Sequence, residues 1–312
     1  MFGKGFDIVP APSAEFQQLP GGSRGVSGPL TPAAARVSQG KKLRDLLARK
    51  NVVLCVLGTP TASCAQWMDE AGVETAFVGT SILFNRYGAL PDTGLVTTTE
   101  SIWAAKYIAE SCRFPLILDG DTGHGGPAAV RRLVKESIQI GLAGIRIDDQ
   151  EIEAKRSTGS GGIQIVPRQQ AVERYQAAVK AKNEMDPNFV IMAQCYARKA
   201  DNGGMDELLA RLVLYETEGG CDWVQFERPQ SVDEIKRARA VVKGPLSTMQ
   251  GDLPKALTMK EHADLGLNAK WATGWPGSVM TAAARTAIAE FKEKGDAYVI
   301  DQEAARANTR RR

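Results

Sequence analysis

The chain has 312 residues, of which 43% are hydrophobic and 24% are charged, and its formal net charge is +3. A charge this small does not indicate a nucleic-acid-binding surface, and no apolar run has the length of a membrane span or the flanks of a signal peptide. Five scattered cysteines and only two histidines argue against a disulfide framework or a structural zinc site. We therefore expect a soluble, cytoplasmic protein.

The chain divides into three segments that differ in composition and hydrophobic pattern. Residues 1–38 are rich in proline and glycine and lack hydrophobic periodicity, which predicts an extended arm. Residues 39–296 alternate short apolar runs with helical patterns, and a barrel domain needs about 250 residues. Residues 297–312 are predicted to form a polar, basic tail.

Eight apolar runs in the middle segment are predicted to be strands, separated by helical patterns such as 128–140 and 168–183. The predicted strands are 52–57, 75–78, 116–118, 144–147, 189–193, 223–226, 246–249 and 269–273. Strands that alternate with helices indicate a parallel sheet, and eight of them favour a closed (β/α)₈ TIM barrel. An open, doubly wound sheet is the alternative.

The most informative motif is LILDGDTGHGG at 116–126, in which a strand ends at Asp119 and Asp121 in a glycine-rich turn. Two carboxylates two residues apart on an extended chain point the same way and repel each other. A divalent cation bound through oxygen or water would keep both ionised. One alternative is that they only cap the following helix. A second is a dinucleotide site, because residues 123–128 fit G-x-G-x-x-A and Asp148 ends the next strand.

Polar residues follow most of the other predicted strands as well. In a barrel, the carboxyl ends of the strands converge on one mouth, where catalytic groups lie. Here they would form an acidic, metal-binding cup. The residues at these ends are Gly79, Thr80 and Ser81 after strand two, Asp119 and Asp121 after three, Asp148 and Asp149 after four, Gln194 and Cys195 after five, and Glu227 after six.

Two segments near these ends are suited to binding an anion. The loop 150–166 is long and glycine-rich and carries Lys155 and Arg156, which predicts a mobile lid, although a solvated loop would look similar. The turn at 79–81 offers backbone N–H groups and hydroxyls to a carboxylate, although it could also be an ordinary strand-to-helix turn.

Together these motifs resemble the isocitrate lyase and phosphoenolpyruvate mutase superfamily, from about residue 41 to residue 294. The motifs are VGTS at 78–81, LPDTG at 90–94, DGDTGHGG at 119–126, IDDQ at 147–150, AKR at 154–156 and IMA at 191–193. The resemblance implies a (β/α)₈ barrel and a homotetramer that exchanges its last helix. It also implies Mg²⁺, or Mn²⁺ in its place, near Asp119 and Asp121, with Asp148 and Glu227 beyond and Asp92 in support.

The chain departs from this family pattern at several positions. Ser157 stands where lyases of the group carry a cysteine general acid, and a serine is a poor proton donor. Gln194 and Cys195 replace the expected Arg and Thr, and Thr248 and Gln250 replace the expected Asn and Thr. We therefore expect a substrate other than isocitrate or methylisocitrate.

The predicted activity is an Mg²⁺-dependent carbon–carbon lyase that cleaves a malate-like 2-hydroxy acid to an α-oxo acid through an enolate. Lys155 and Arg156 would hold a carboxylate, and Ser157 or Cys195 would transfer a proton. Gly79, Thr80, Ser81, Gln194, Glu227 and Thr248 are the predicted substrate-binding residues. The alternatives are oxaloacetate decarboxylation or hydrolysis, phosphonopyruvate chemistry, and a non-catalytic barrel that binds an oxo acid.

Overall fold

The computed structural model describes residues 38–50, 52–81, 83, 90–249 and 251–310. Its eight strands are all parallel and close into a barrel in chain order, with β8 paired to β1. The strands are β1 Leu54–Gly58, β2 Ala76–Val78, β3 Leu116–Asp119, β4 Gly144–Asp148, β5 Val190–Cys195, β6 Trp223–Glu227, β7 Leu246–Met249 and β8 Ala269–Ala272. The predicted (β/α)₈ barrel is confirmed, and the open sheet is wrong.

Helices alternate with the strands along the chain, and the last two helices follow β8. They are α1 Gln39–Leu47, α2 Ala62–Glu70, α3 Thr98–Ala109, α4 Pro127–Gln139, α5 Arg168–Met185, α6 Met205–Thr217, α7 Val232–Val241, α8 Met259–Asp264, α9 Trp275–Lys294 and α10 Asp296–Arg310. Several begin at the side-chain caps that the sequence favours. Thr97, for example, forms a reciprocal capping box with Glu100 at the start of α3.

The apolar core has two parts because successive strand residues point to opposite faces. Residues such as Ile145 and Ile147 pack outward against the helices. A second cluster fills the lower barrel interior, where Trp223 and Phe77 meet Leu43 and Leu47 of α1. Helix α1 therefore closes the amino-terminal end of the barrel, and the opposite end is left for a site.

The chain divides into two compact units. The unit Val37–Ala283 contains the barrel, and the described part of the other comprises residues 284–310. The segment 297–312, predicted to be a polar tail, continues the α10 helix as far as Arg310. Of the predicted arm, residues 1–37 lie outside the described residues. Within the described part of the chain, no helix combines the length and apolarity needed to cross a membrane.

Candidate active site

A cavity of about 280 Å³ opens at the carboxyl end of the barrel. Six of the eight strands or the segments that follow them line it, which matches the expectation that polar strand ends converge. The lining residues are Phe77, Ser81, Asp92, Asp119, Arg146, Asp148, Lys155, Ser157, Thr158, Gly159, Gln194, Tyr196, Met249 and Thr273.

The turn after β3 holds its two acids in a constrained backbone. Asp121 has a φ of +50° and its Oδ1 accepts a 2.7 Å hydrogen bond from the Thr122 amide. Gly123 has a φ of +86°, and a Cβ there would lie 2.6 Å from Cγ2 of Val130. Glycine is therefore required at this position by both conformation and space.

Asp119 is buried and accepts hydrogen bonds from the turns that follow β2 and its own strand, β3. Its Oδ2 accepts from the amide and hydroxyl of Thr80 at 3.3 and 3.2 Å, and its Oδ1 accepts from the Asp121 amide at 3.3 Å. Thr80, predicted to bind substrate, instead orients Asp119. Of the other two predicted residues in that turn, Ser81 lines the cavity, and the Gly79 carbonyl accepts from the Leu83 amide.

Arg146 is a cavity residue that the sequence reasoning missed. It lies inside the barrel on β4, with a guanidinium nitrogen 3.5 Å from Asp119 Oδ1 and its Cζ 4.3 Å from the centre of the Phe77 ring. Its Nε is buried without a hydrogen-bond partner among the described residues. The sequence does contain a signal for Arg146. Side chains on a strand alternate between its two faces, so Arg146 lies on the same, inward face of β4 as Asp148, and Ile145 and Ile147 lie on the other.

Lys155 lies among the acids of the site. Its Nζ is 2.9 Å from Asp92, 3.7 Å from Asp121 and 3.9 Å from Asp148. Burial alone would lower the pKa of Lys155, but these carboxylates outweigh it and raise the pKa. Burial raises the pKa of Asp148 to about 7, although Lys155 opposes the shift.

These contacts correct two steps of the sequence reasoning. Lys155 and Arg146 supply counter-charges to the acids, so a metal ion is not needed to explain how clustered carboxylates coexist. Lys155, predicted to hold a substrate carboxylate, is already paired with protein carboxylates. Arg156 is exposed and does not line the cavity.

The acids fit a hydrated cation better than a closed metal cage. No group of three His, Cys, Asp or Glu residues within the described ranges is arranged to hold an ion directly. Asp92, Asp119 and Asp148 nevertheless offer only oxygen ligands to the cavity. Mg²⁺ suits such a set, because it commonly keeps several waters and binds through one or two carboxylates.

The predicted lid is anchored at both ends. Gln150 pairs with Ile165 as an antiparallel bridge, and the Glu151 and Val166 amides donate to the carbonyls of Gln164 and Asp149. Between these anchors, Ser157, Thr158 and Gly159 reach the cavity wall. The Ser157 hydroxyl lies 2.9 Å from that of Ser160.

A chain of polar side chains extends from the cavity to β6. Gln194 lines the cavity, and its Nε2 donates to Glu227 Oε1 at 2.6 Å. Gln225 donates to the same oxygen. Burial raises the pKa of Glu227. Glu227, predicted to bind substrate, lies behind Gln194 and holds its amide in place.

Two predicted site residues point away from the cavity. Cys195 is fully buried on the outer face of β5, where burial and then Asp149 raise the pKa of its thiol well above the usual value. Thr248 shares the outer face of β7 with Leu246, whereas the next residue, Met249, lines the cavity. Neither residue is placed to contact a molecule in the cavity. Gln250, also noted in the sequence, lies outside the described residues.

Comparisons with known proteins match most of the chain. The family model described as phosphoenolpyruvate phosphomutase matches residues 43–292. The chain is 32% identical over 229 residues to 2,3-dimethylmalate lyase of Eubacterium barkeri, covering 73% of this chain and 77% of that protein. It is 30% identical over 209 residues to 2-methylisocitrate lyase of Shewanella oneidensis, covering 67% and 69% respectively.

Solved structures show the same architecture. Oxaloacetate acetylhydrolase in complex with 3,3-difluorooxalacetate superposes with a TM-score of 0.77 and 26% identity, covering 83% of this chain and 87% of that one. Phosphonopyruvate hydrolase in complex with oxalate and Mg²⁺ superposes with a TM-score of 0.73 over 83% of this chain and 88% of that one. At 22% identity, the second likeness shows a shared fold.

Proposed function

This chain belongs to the phosphoenolpyruvate phosphomutase family, whose relatives here include carbon–carbon lyases, and we propose that it cleaves a malate-like 2-hydroxy acid to release an α-oxo acid. The relatives' names support a lyase of small carboxylic acids. The finer assignment, to a substituted malate, rests on the residues of the cavity.

One observation carries the proposal: the cavity joins a cluster of carboxylates to a buried guanidinium. Asp92, Asp119 and Asp148 lie on its wall, and Arg146 lies deeper in the barrel beside Asp119. A cavity of about 280 Å³ suits a small molecule. Such a site is matched to a small acid that binds a cation at one end and a guanidinium at the other.

Asp119, with Asp92, Asp121 and Asp148 near it, would hold Mg²⁺ or Mn²⁺. The ion would act as a Lewis acid that polarises the oxygens of an α-hydroxy or α-oxo carboxylate. Arg146 offers a buried cation to the other carboxylate of the substrate. Residues Ser157, Thr158 and Gly159 line the cavity, and closure of their loop would exclude water and so strengthen these electrostatic interactions.

The test is a substrate panel with Mg²⁺, containing 2,3-dimethylmalate, other substituted malates, isocitrate and 2-methylisocitrate, with pyruvate and glyoxylate measured by NMR. We expect turnover of a substituted malate and little or none of the two isocitrates, because Gln194 occupies the position where an arginine is expected. Asp121→Asn serves as the inactive control for the assay. It keeps the size of the side chain but removes its charge, so it should abolish turnover. Absence of an α-oxo acid from every hydroxy acid would contradict the lyase proposal.

Oxaloacetate hydrolysis or decarboxylation is the second candidate. No cysteine lines the cavity among the described residues, and the likeness to oxaloacetate acetylhydrolase supports a reaction at the same barrel mouth. Oxaloacetate therefore belongs in the panel. Oxalate and acetate would indicate hydrolysis, and pyruvate and CO₂ would indicate decarboxylation. Binding of oxalate with no turnover of any acid would favour the non-catalytic barrel.

We also propose a homotetramer in the cell's soluble fraction. Several apolar side chains on α9 are exposed in the single chain, among them Trp275, Val279, Ile288 and Phe291. Exposed apolar residues at this density on one helix favour burial against another subunit.

A further inference from the structure

We propose that Tyr196 is the proton donor of this enzyme, taking the role for which Ser157 is too weak an acid. The inference rests on the proposed function, because it assigns the step that follows carbon–carbon cleavage. It concerns a residue that immediately follows β5 and lines the cavity.

The phenol of Tyr196 is fixed in place from several sides. Only 3% of the residue is exposed, and its backbone N–H donates to Asp149 Oδ1 at 2.9 Å. Its Oη lies 3.1 Å from Gln194 Nε2 and 2.6 Å from Thr158 Oγ1. Gln194 is itself oriented by its 2.6 Å bond to Glu227.

These contacts suit a group that alternates between phenol and phenolate. The Gln194 amide nitrogen can only donate, so it occupies a lone pair of Oη. When Thr158 also donates, the phenol proton is free to point into the cavity. Burial, Glu227 and Asp148 raise the pKa of the Tyr196 phenol, although Arg146 opposes the shift, so the phenol stays protonated until a carbanion takes its proton. After the proton leaves, the phenolate retains two hydrogen-bond donors.

The other cavity-lining groups are poorer donors. Ser81, Ser157, Thr158 and Thr273 carry aliphatic hydroxyls, which are intrinsically weaker acids than a phenol. Lys155 is engaged with three carboxylates that raise its pKa. Cys195 lies on the other face of β5. Asp92, Asp119 and Asp148 are assigned to the cation in the proposed function, so Tyr196, the one phenol among the described residues that line the cavity, is left as the proton donor.

The step balances without a further reactant. When the C2–C3 bond of the hydroxy acid breaks, its electron pair stays on C3 as the enolate of the departing carboxylic acid. The C2 hydroxyl loses its proton to solvent and becomes the carbonyl of the α-oxo acid. Tyr196 transfers its O–H proton to C3, which forms the C–H bond, and the phenolate then recovers a proton from water. Hydrolysis of oxaloacetate also leaves a carbanion that needs this proton.

The contact with Thr158 ties the donor to the lid. Thr158 belongs to the loop 150–166, so the arrangement at Oη is complete only when this loop covers the cavity. The alternative to proton donation is that the Tyr196 hydroxyl serves only to hold the loop down. Tyr196→Phe tests donation, and Thr158→Val is the matched control, because it removes the loop contact and keeps the phenol.

We expect Tyr196→Phe to lower kcat by about 10²-fold or more, the usual scale for a positioned acid, with KM changed by less than about threefold. Its affinity for oxalate in the presence of Mg²⁺, measured by calorimetry, should remain that of the wild type. Tyr196→Phe should also slow the exchange of solvent deuterium into the carboxylic-acid product. Thr158→Val should lose at most about tenfold in kcat and should weaken oxalate binding more than Tyr196→Phe does.

A Tyr196→Phe enzyme within about threefold of the wild-type kcat would overturn the role of Tyr196 and leave the lyase assignment standing. Equal losses of kcat and of oxalate affinity in the two variants would assign Tyr196 to loop anchoring instead. A wild-type protein that turns over no acid in the panel, oxaloacetate included, would overturn the proposed function and the donor role together.

Discussion

Lys155 Nζ lies 2.9 Å from Oδ1 of Asp92, and the side chain of Lys155 is only 5% exposed. The pairing connects two segments 63 residues apart, one on the loop over the cavity and one in the segment that precedes α3. Because the same ammonium also approaches Asp121 and Asp148, the loop carries part of the charge that balances the acids. The position of the loop and the electrostatics of the site are thus coupled.

Removing the ammonium should destabilise the metal-free protein. Lys155→Met leaves buried carboxylates without their partner, and breaking a buried ion pair in this way costs about 3–5 kcal/mol. Urea unfolding measures the loss, and we expect Mg²⁺ to restore part of it by supplying positive charge to the same acids. Lys41→Met, which removes an exposed i,i+4 pair with Asp45, is the control and should cost less than about 0.5 kcal/mol. Equal stability of Lys155→Met and the wild type would contradict this account.

Cys195 should be dispensable for catalysis. Its thiol lies on the helix-facing side of β5, so Cys195→Ala should keep kcat within about twofold while costing about 1 kcal/mol of stability through lost packing. Steady-state kinetics on the substrate found in the panel and thermal unfolding measure the two effects. A hundredfold loss of kcat in a folded variant would return Cys195 to the list of proton donors.

The loop should be cleaved by trypsin at Arg156 in the free protein. Arg156 is exposed, whereas the neighbouring Lys155 is buried, so cleavage should occur after residue 156 rather than after residue 155. Mg²⁺ with oxalate should suppress the cut, because a ligand beneath the loop favours its closed position. Mass spectrometry identifies the site, and Arg156→Gln serves as the uncleavable control. The same cleavage rate with and without ligand would count against closure.

Glu207 should contribute stability at neutral pH that disappears in acid. Hydrogen bonds from Arg168 and then Arg211, opposed by partial burial, lower the pKa of Glu207 to about 2. A lowered pKa favours the folded state above the ordinary value near 4.5, and this benefit is lost as the pH falls toward 2. Glu207→Gln should therefore be less stable than the wild type at pH 7, by about 1 kcal/mol or less because solvent screens the pair, with the difference shrinking below pH 4.5. Chemical unfolding at several pH values measures the trend, which a constant difference would contradict.

The exposed apolar residues of α9 should control assembly. The chain mass is 33.6 kDa, and light scattering should give about four times this mass for the wild type. Ile288→Lys places a charge at a position that is 68% exposed in the single chain, so it should shift the mass toward smaller species without unfolding the barrel. Lys292→Glu, on the same helix but at a polar position, is the control. A wild-type monomer would contradict the tetramer.

The sequence predicts the barrel and the edge at which the site forms. Parallel strands that alternate with helices leave little choice of fold, and their carboxyl ends must meet. The predicted strands therefore agree with the observed ones to within about two residues at each end. Asp119, Asp148, Lys155, Ser157 and Gln194, all identified from the sequence, do line the cavity.

The wrongly assigned site residues lie on strands where the sequence does not show which side chains point into the barrel and which point toward the helices. Both faces of a buried parallel strand are apolar, so hydrophobic alternation does not reveal which residue points inward. Cys195 and Thr248 were each assigned one position away from a residue that lines the cavity, Gln194 and Met249. Arg146 and Tyr196 were missed because only the last residues of the strands were considered. Arg146 lies two residues before the end of β4, and Tyr196 lies one residue after the end of β5.

The closed floor of the barrel governs the order in which molecules can move. The interior below the cavity is filled by Leu43 and Leu47 of α1 and by the rings of Phe77 and Trp223. Molecules can therefore enter and leave the described barrel only through its mouth, which residues 157–159 line. A reaction that makes two products there releases them in sequence, and the fragment beside Arg146, deeper in the barrel, leaves last. Product-inhibition kinetics should consequently show a compulsory order, in which the deeper fragment competes with the incoming substrate and the shallower fragment does not.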